Sequence, residues 1–195
     1  GLVHAIGTMH FRNVAFRNSG TVRVPGELII TTADIQIDNA GIWEWTGHLN
    51  VSLINFRLLR DLTNIAGAEF SSSSDTFEGS GKLINRGEMR LQDSVLNVPV
   101  VNEADLELLA PQLNASLTNH GTLVLISEQR LASATGRIEN HGTVILSSQT
   151  LFTGGRFENL PASSVRGSGT LDIRTSQSPF AGRIDPTTII QDTSA

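Results

Sequence analysis

His120 and His141 each follow an asparagine and precede a glycine, in two similar units of the chain. Two imidazoles brought side by side could hold a metal ion, which takes neutral ring nitrogens in a set of three or four ligands. The matching places in the flanking units hold Glu103 and Leu160, and no third strong ligand is evident. A solvated polar ladder is the simpler reading, and no metal or other cofactor is expected. Glu139 and Glu158 form a carboxylate pair of the kind glycoside chemistry uses. The units around them supply no obvious basic or metal partner, so no catalytic residue is assigned and the chain is read as a non-enzyme. Trp43 and Trp45 flank Glu44 as a sugar-stacking platform would. No Walker loop, HExxH, GxSxG, EF-hand loop or calcium-binding nonapeptide is present. Gly79-Ser80-Gly81 and Gly167-Ser168-Gly169 are bends rather than phosphate loops, because no helix follows them.

These residues must be positioned by a repeat. Phe16-Arg-Asn18-Ser-Gly20, Ile37-Asp-Asn39-Ala-Gly41, Leu83-Ile-Asn85-Arg-Gly87, Leu117-Thr-Asn119-His-Gly121 and Ile138-Glu-Asn140-His-Gly142 are copies of one unit. Weaker copies centre on Asn64, Asn102 and Asn159. The spacings of the eight asparagines are 21, 25, 21, 17, 17, 21 and 19. Two residues before each stands Phe16, Ile37, Leu62, Leu83, Val100, Leu117, Ile138 or Phe157. Six residues after each stands Val24, Trp45, Phe70, Leu91, Leu108, Leu125, Leu146 or Val165. Four residues after, only Ser163 interrupts an apolar column. All these offsets are even, and period two is the mark of a strand with one buried face. By that register Trp43 and Trp45 point inward as core.

About twenty residues is one turn of a β-helix, with strands joined by bends, and each coil adds about 4.8 Å along the axis. The expected fold is therefore all-β: a right-handed parallel β-solenoid of about eight to nine coils, each roughly 17–25 residues long. A second strand in each coil is visible in Glu27–Ile30, His48–Leu53 and Thr150–Phe152, and the extra residues of the longest coil should loop out at Ser71 to Asp75. Residues 1–195 read as one solenoid domain, a fragment of a longer protein, with 174–195 as a last coil or exit linker. The asparagines share parity with the apolar columns, so they should face inward at a bend. There Asn18, Asn39, Asn64, Asn85, Asn102, Asn119, Asn140 and Asn159 are expected to stack as a structural ladder, each amide donating to the next. The following glycines suit a bend with unusual backbone angles.

Composition narrows the function. Charged residues are 17% and the net charge is −5, with Lys82 the only lysine. Nucleic-acid binding, which needs a basic face, is not expected. No cysteine is present, which excludes disulfides and thiolate metal sites. Apolar runs are far shorter than the roughly 20 residues of a membrane-spanning helix, so no membrane insertion is expected.

The Asn-x-Gly-x-apolar-x-apolar units over most of residues 11–173 resemble the degenerate repeats of filamentous-haemagglutinin-like adhesins and autotransporter-type passenger domains. The resemblance implies a structural or adhesive segment of a large secreted or cell-surface bacterial protein. Its partners would be a host or surface glycan or protein, or copies of itself. Solenoids also occur in polysaccharide lyases and phage tailspikes, and uncapped ends suit a self-assembling fibre, so both alternatives stand. The column five residues after each asparagine reads Arg23, Glu44, Glu69, Arg90, Glu107, Val124, Ile145, Ser164. It should face solvent, yet it turns apolar at Val124 and Ile145. With His120 and His141, these form the candidate contact face.

Overall fold

The computed structural model describes all residues except 1, 5, 38–41, 127–128, 133–135, 149, 154–155, 175–180, 186–188 and 193–195. Its sheets are parallel and stack as a β-solenoid, with no helix among the described residues. Each turn of the chain passes three faces. Face one carries short strands such as Ile42–Trp45, Leu62–Asn64, Leu83–Asn85 and Leu117–Asn119. In the first tiers, faces two and three share one long strand: Thr8–Asn18, Glu27–Ile37 and His48–Leu58. From there on they separate, as in Glu69–Ser73 and Thr76–Gly79, or Asp105–Leu109 and Gln112–Leu113. The coil count differs slightly from the expected eight to nine.

Alternation places the core. His48–Leu58 buries Leu49, Val51, Ile54, Phe56 and Leu58 while the residues between them face outward. Phe56 stacks on Phe77 of the next tier with centroids 4.9 Å apart, and Phe77 meets Phe70 edge-on. Each fully buried side chain of this size contributes roughly 1.5–3 kcal/mol through lost contact with water.

The register corrects several sequence expectations. Phe70 pairs with Leu49 and Met89, not with Trp45 and Leu91. Val165 pairs with Val144, not with Leu146. The cause is two additional residues just after Asn64 and just after Asn159. Each addition closes on itself: the Ala68 N–H donates to the Ile65 carbonyl and the Ser163 N–H to the Leu160 carbonyl, both at 3.1 Å. Ser163 therefore never belonged to the apolar column that it seemed to break. The longest coil does not loop out at Ser71 to Asp75 either; Glu69–Ser73 is a strand, and Asp75 is buried.

The bend between faces two and three is built from left-handed residues. Asn13, Leu53, Ser74, Asp93 and Ala110 have φ of 53°, 56°, 59°, 49° and 49°. Each follows a residue of one register column running through Arg12, Ser52, Ser73, Gln92 and Leu109. A left-handed conformation costs an L-residue about 1–2 kcal/mol, least for asparagine and aspartate. Leu53 bears that cost with its side chain 62% exposed. Leu53→Asn should therefore raise unfolding free energy by about 1 kcal/mol in chemical denaturation. A loss of stability would show that the exposed leucine side chain contributes packing.

Candidate functional site

The corner between faces one and two holds the asparagines, and behind it the residues that could do chemistry. Asn64, Asn85, Asn102, Asn119, Asn140 and Asn159 are fully buried. The Nδ2 of each donates to the Oδ1 of the next, at 2.8, 2.8, 2.7, 2.8 and 2.7 Å. The same Nδ2 groups also reach backbone carbonyls one tier on, at Glu88, Asp105, Thr122, Thr143 and Ser164. Several Oδ1 atoms take the N–H two residues later, as Asn85 does from Gly87 at 3.2 Å. One amide thus serves its own bend and two neighbours.

Two expected members stand apart. Asn18 ends its strand opposite Ile37, and Ile37 lies opposite Leu58. It occupies the corner between faces three and one, where its Oδ1 accepts the Gly20 N–H at 3.0 Å. Asn39 falls outside the described residues. The ladder instead begins at Trp45, which stands three residues before His48 just as Asn85 stands three before Glu88. Its Nε1 donates to Asn64 Oδ1 at 2.9 Å. Trp45 is 1% exposed and Trp43 is 7% exposed, so neither is a sugar platform. The glycines of this corner also differ from expectation: Gly87, Gly121 and Gly142 do not have positive φ. A methyl group on Gly121 would collide with the Ala104 carbonyl, and one on Gly142 with the Gly121 carbonyl, so tight stacking is what selects glycine.

Outside the ladder, Arg86, Glu103, His120 and His141 follow successive asparagines. The rings of His120 and His141 stack with centroids 4.7 Å apart. Arg86 holds Glu103 at 2.8 Å, and that hydrogen bond lowers the Glu103 carboxyl pKa. His141 Nε2 lies 2.9 Å from Glu139 Oε1. No group of three or more metal-ligating side chains gathers among the described residues.

Glu139 and Glu158 are register partners, and they are not without basic neighbours as the sequence pattern suggested. Arg137 Nη2 lies 3.1 Å from Glu139 and 2.8 Å from Glu158, and Arg156 also pairs with Glu158. The two arginines stand two positions before the glutamates, which puts them on the same outward face of the strand. That even offset was the signal sequence reading missed. Both carboxylates are thus engaged in a guanidinium and imidazole network, and Glu158 is only 5% exposed.

On face two, Val124 and Ile145 pair in adjacent tiers and are half-buried. Their column contains Arg90, Glu107 and Arg166, whereas Glu69 and Ser164 belong to the column beside it. The two histidines stand at the corner, two positions before Thr122 and Thr143 with a glycine between, so they adjoin this surface rather than lie within it.

One buried carboxylate lies elsewhere, at the bend between faces two and three. Asp75 accepts the Ile54 N–H at 2.7 Å, the Ser72 hydroxyl at 2.6 Å and the Ser73 N–H at 3.1 Å. Burial outweighs these donors and raises its pKa from 3.8 to about 6. The folded chain then holds this proton more tightly than the unfolded chain does. Asp75 stabilises fully below pH 4, and this contribution fades as pH rises towards 6, by on the order of 3 kcal/mol. Tm measured from pH 4 to 6.5 should contain a falling component that Asp75→Asn removes; an unchanged profile would contradict the raised pKa.

For the ladder, Asn119→Ala leaves the Asn102 donor and the Asn140 acceptor without their partner and should cost about 1–3 kcal/mol. The outward control Thr118→Ala should cost little. Equal effects in denaturant titrations would show that the ladder carries no special stability.

No protein-family model, no curated protein and no solved structure matches this chain.

Proposed function

We propose that the chain is a structural solenoid segment of a large secreted or cell-surface protein, extending away from its anchor and presenting its faces for adhesion. The observation that carries this reading is the unbroken hydrogen-bonded asparagine ladder, which runs from Trp45 to Asn159 through successive tiers. Such a stack resists bending because each tier is tied to the next both at the corner and along every face. Away from face two the outer surface is paired tier to tier by Arg23–Glu44 and Arg86–Glu103, as suits surfaces that stay wet. Flat sheet faces repeated along a rod favour weak contacts that gain strength by multiplicity.

A second reading, a carbohydrate-active β-helix, draws on the carboxylate, guanidinium and imidazole groups gathered at Glu139 and Glu158. One pair of measurements separates the two. A glycan and cell-surface binding screen should give binding without turnover, and common polyuronates should release no unsaturated or reducing ends. Turnover abolished by Glu139→Gln or Glu158→Gln would replace the structural reading with the catalytic one.

A further inference from the structure

We infer that the outer surface of face two is a self-association face, on which a second copy of this chain docks with its axis antiparallel. The inference holds whether the segment is a stalk or an adhesin, because it rests on the order of side chains along one sheet. One outward column reads Arg90, Glu107, Val124, Ile145 and Arg166 through successive tiers. Asp185 continues it, its N–H bonded to the Val165 carbonyl at 2.9 Å. The adjacent column reads Glu88, Asp105, Thr122, Thr143, Ser164 and Arg183. On the other side of Val124 lie Leu109 and Ile126, also register partners and half-buried. Four apolar side chains therefore occupy adjoining outward positions, in columns that hold Ile29, Asn50 and Ser71, and Ser52, Ser73 and Gln92, in earlier tiers.

Apart from Asp105, which corresponds to Ser164, the charges are antisymmetric about the midpoint between Val124 and Ile145. One step out, Glu107 on one side corresponds to Arg166 on the other. Two steps out, Arg90 corresponds to Asp185, and in the neighbouring column Glu88 corresponds to Arg183. A two-fold axis along the strands through that midpoint keeps each column opposite itself and reverses the order of tiers. Val124 then meets the second copy's Ile145, and Thr122 meets its Thr143. Glu107 meets Arg166, Arg90 meets Asp185 and Glu88 meets Arg183, each twice in the pair, with the 3.0 Å Arg90–Glu107 ion pair of each copy lying inside this network. Docking with the axes parallel, about an axis between the two columns, would instead set Val124 against Thr122, Ile145 against Thr143 and Asp105 against Glu107, and like charges in direct apposition are repulsive. The pattern thus selects one geometry, an isologous antiparallel dimer. Its size is modest. Strands of five residues at about 3.4 Å each, over six tiers at about 4.8 Å, offer roughly 500 Å² per copy. About 1,000 Å² in total lies at the low end of specific interfaces, so association is weak and concentration-dependent.

Sedimentation velocity on the 195-residue chain, from about 10 μM to 1 mM at low salt, tests this directly. Glu88→Arg and Arg183→Glu should each weaken self-association by about 10-fold or more, since each sets like charges together at two places. Mixed in equal amounts, the two variants should associate at least as well as the parent chain, because only the mixed pair restores both contacts. Val124→Lys with Ile145→Lys should abolish association, with far-UV circular dichroism and the thermal melt unchanged. A chain that stays monomeric at 1 mM overturns the inference. So does association unaffected by both charge reversals, which would indicate stacking through the ends of the solenoid. Strengthening by Glu88→Arg alone would also overturn it, because the antiparallel pair sets that position against Arg183.

Discussion

Everything in this solenoid depends on like residues lying on like. A parallel, in-register stack brings each side chain within about 5 Å of its counterparts above and below. A buried column of carboxylates or ammonium groups could not persist under that constraint, because each charge would meet its own sign in a dry interior. A primary amide is different: it carries donor and acceptor on one group, so a stack of amides is self-complementary. Asparagine is short enough to do this while holding its own bend, which explains why one residue type recurs at one corner. The chain direction also gives the ladder a polarity, since every amide donates forward. Its first position needs only a donor. Trp45 is suited to that place because an indole N–H donates and cannot accept.

The same rule acts more gently on the outside. Exposed ion pairs between tiers contribute little individually. Charges stacked directly on their own sign are destabilising, so alternation is the economical pattern. Arg23 on Glu44, His48 by Glu69, Arg86 on Glu103 and Arg90 on Glu107 follow it. The column of Glu69, Glu88 and Asp105 departs from it, with three acids in consecutive tiers. These three acids precede the apolar patch on face two, and Arg166 and Arg183 follow it.

Much of this was legible in the sequence because parity survives almost any irregularity. Apolar columns at even offsets gave the inward face of nearly every strand, and the stacked amides from Asn64 to Asn159 followed from their sharing that parity. What parity could not reveal was slippage by two. The additions after Asn64 and Asn159 leave every side chain on its correct face, so Phe70 and Val165 looked well placed while sitting one step out of column. Asn18 misled for a related reason. Phe16-Arg-Asn18-Ser-Gly20 has the same residues as the ladder unit but lies at another corner, and a local pattern carries no label for which bend it makes. The network around Glu158 was missed because only columns were searched, whereas Arg137 and Arg156 stand along the strand.

The additions after Asn64 and Asn159 also imply a grammar for how such a chain changes length. Register offsets between neighbouring tiers are 17, 19 or 21, differing only in steps of two. A single inserted residue would turn the rest of its strand inside out, exposing leucines and burying arginines, unless a bend absorbed it at once. A pair inserted at a corner changes nothing downstream. The solenoid therefore has a reading frame of two, analogous to the frame of three in the nucleic acid that encodes it. Lineages of such repeats should drift in coil length by even steps, with odd steps confined to bends that can cancel them.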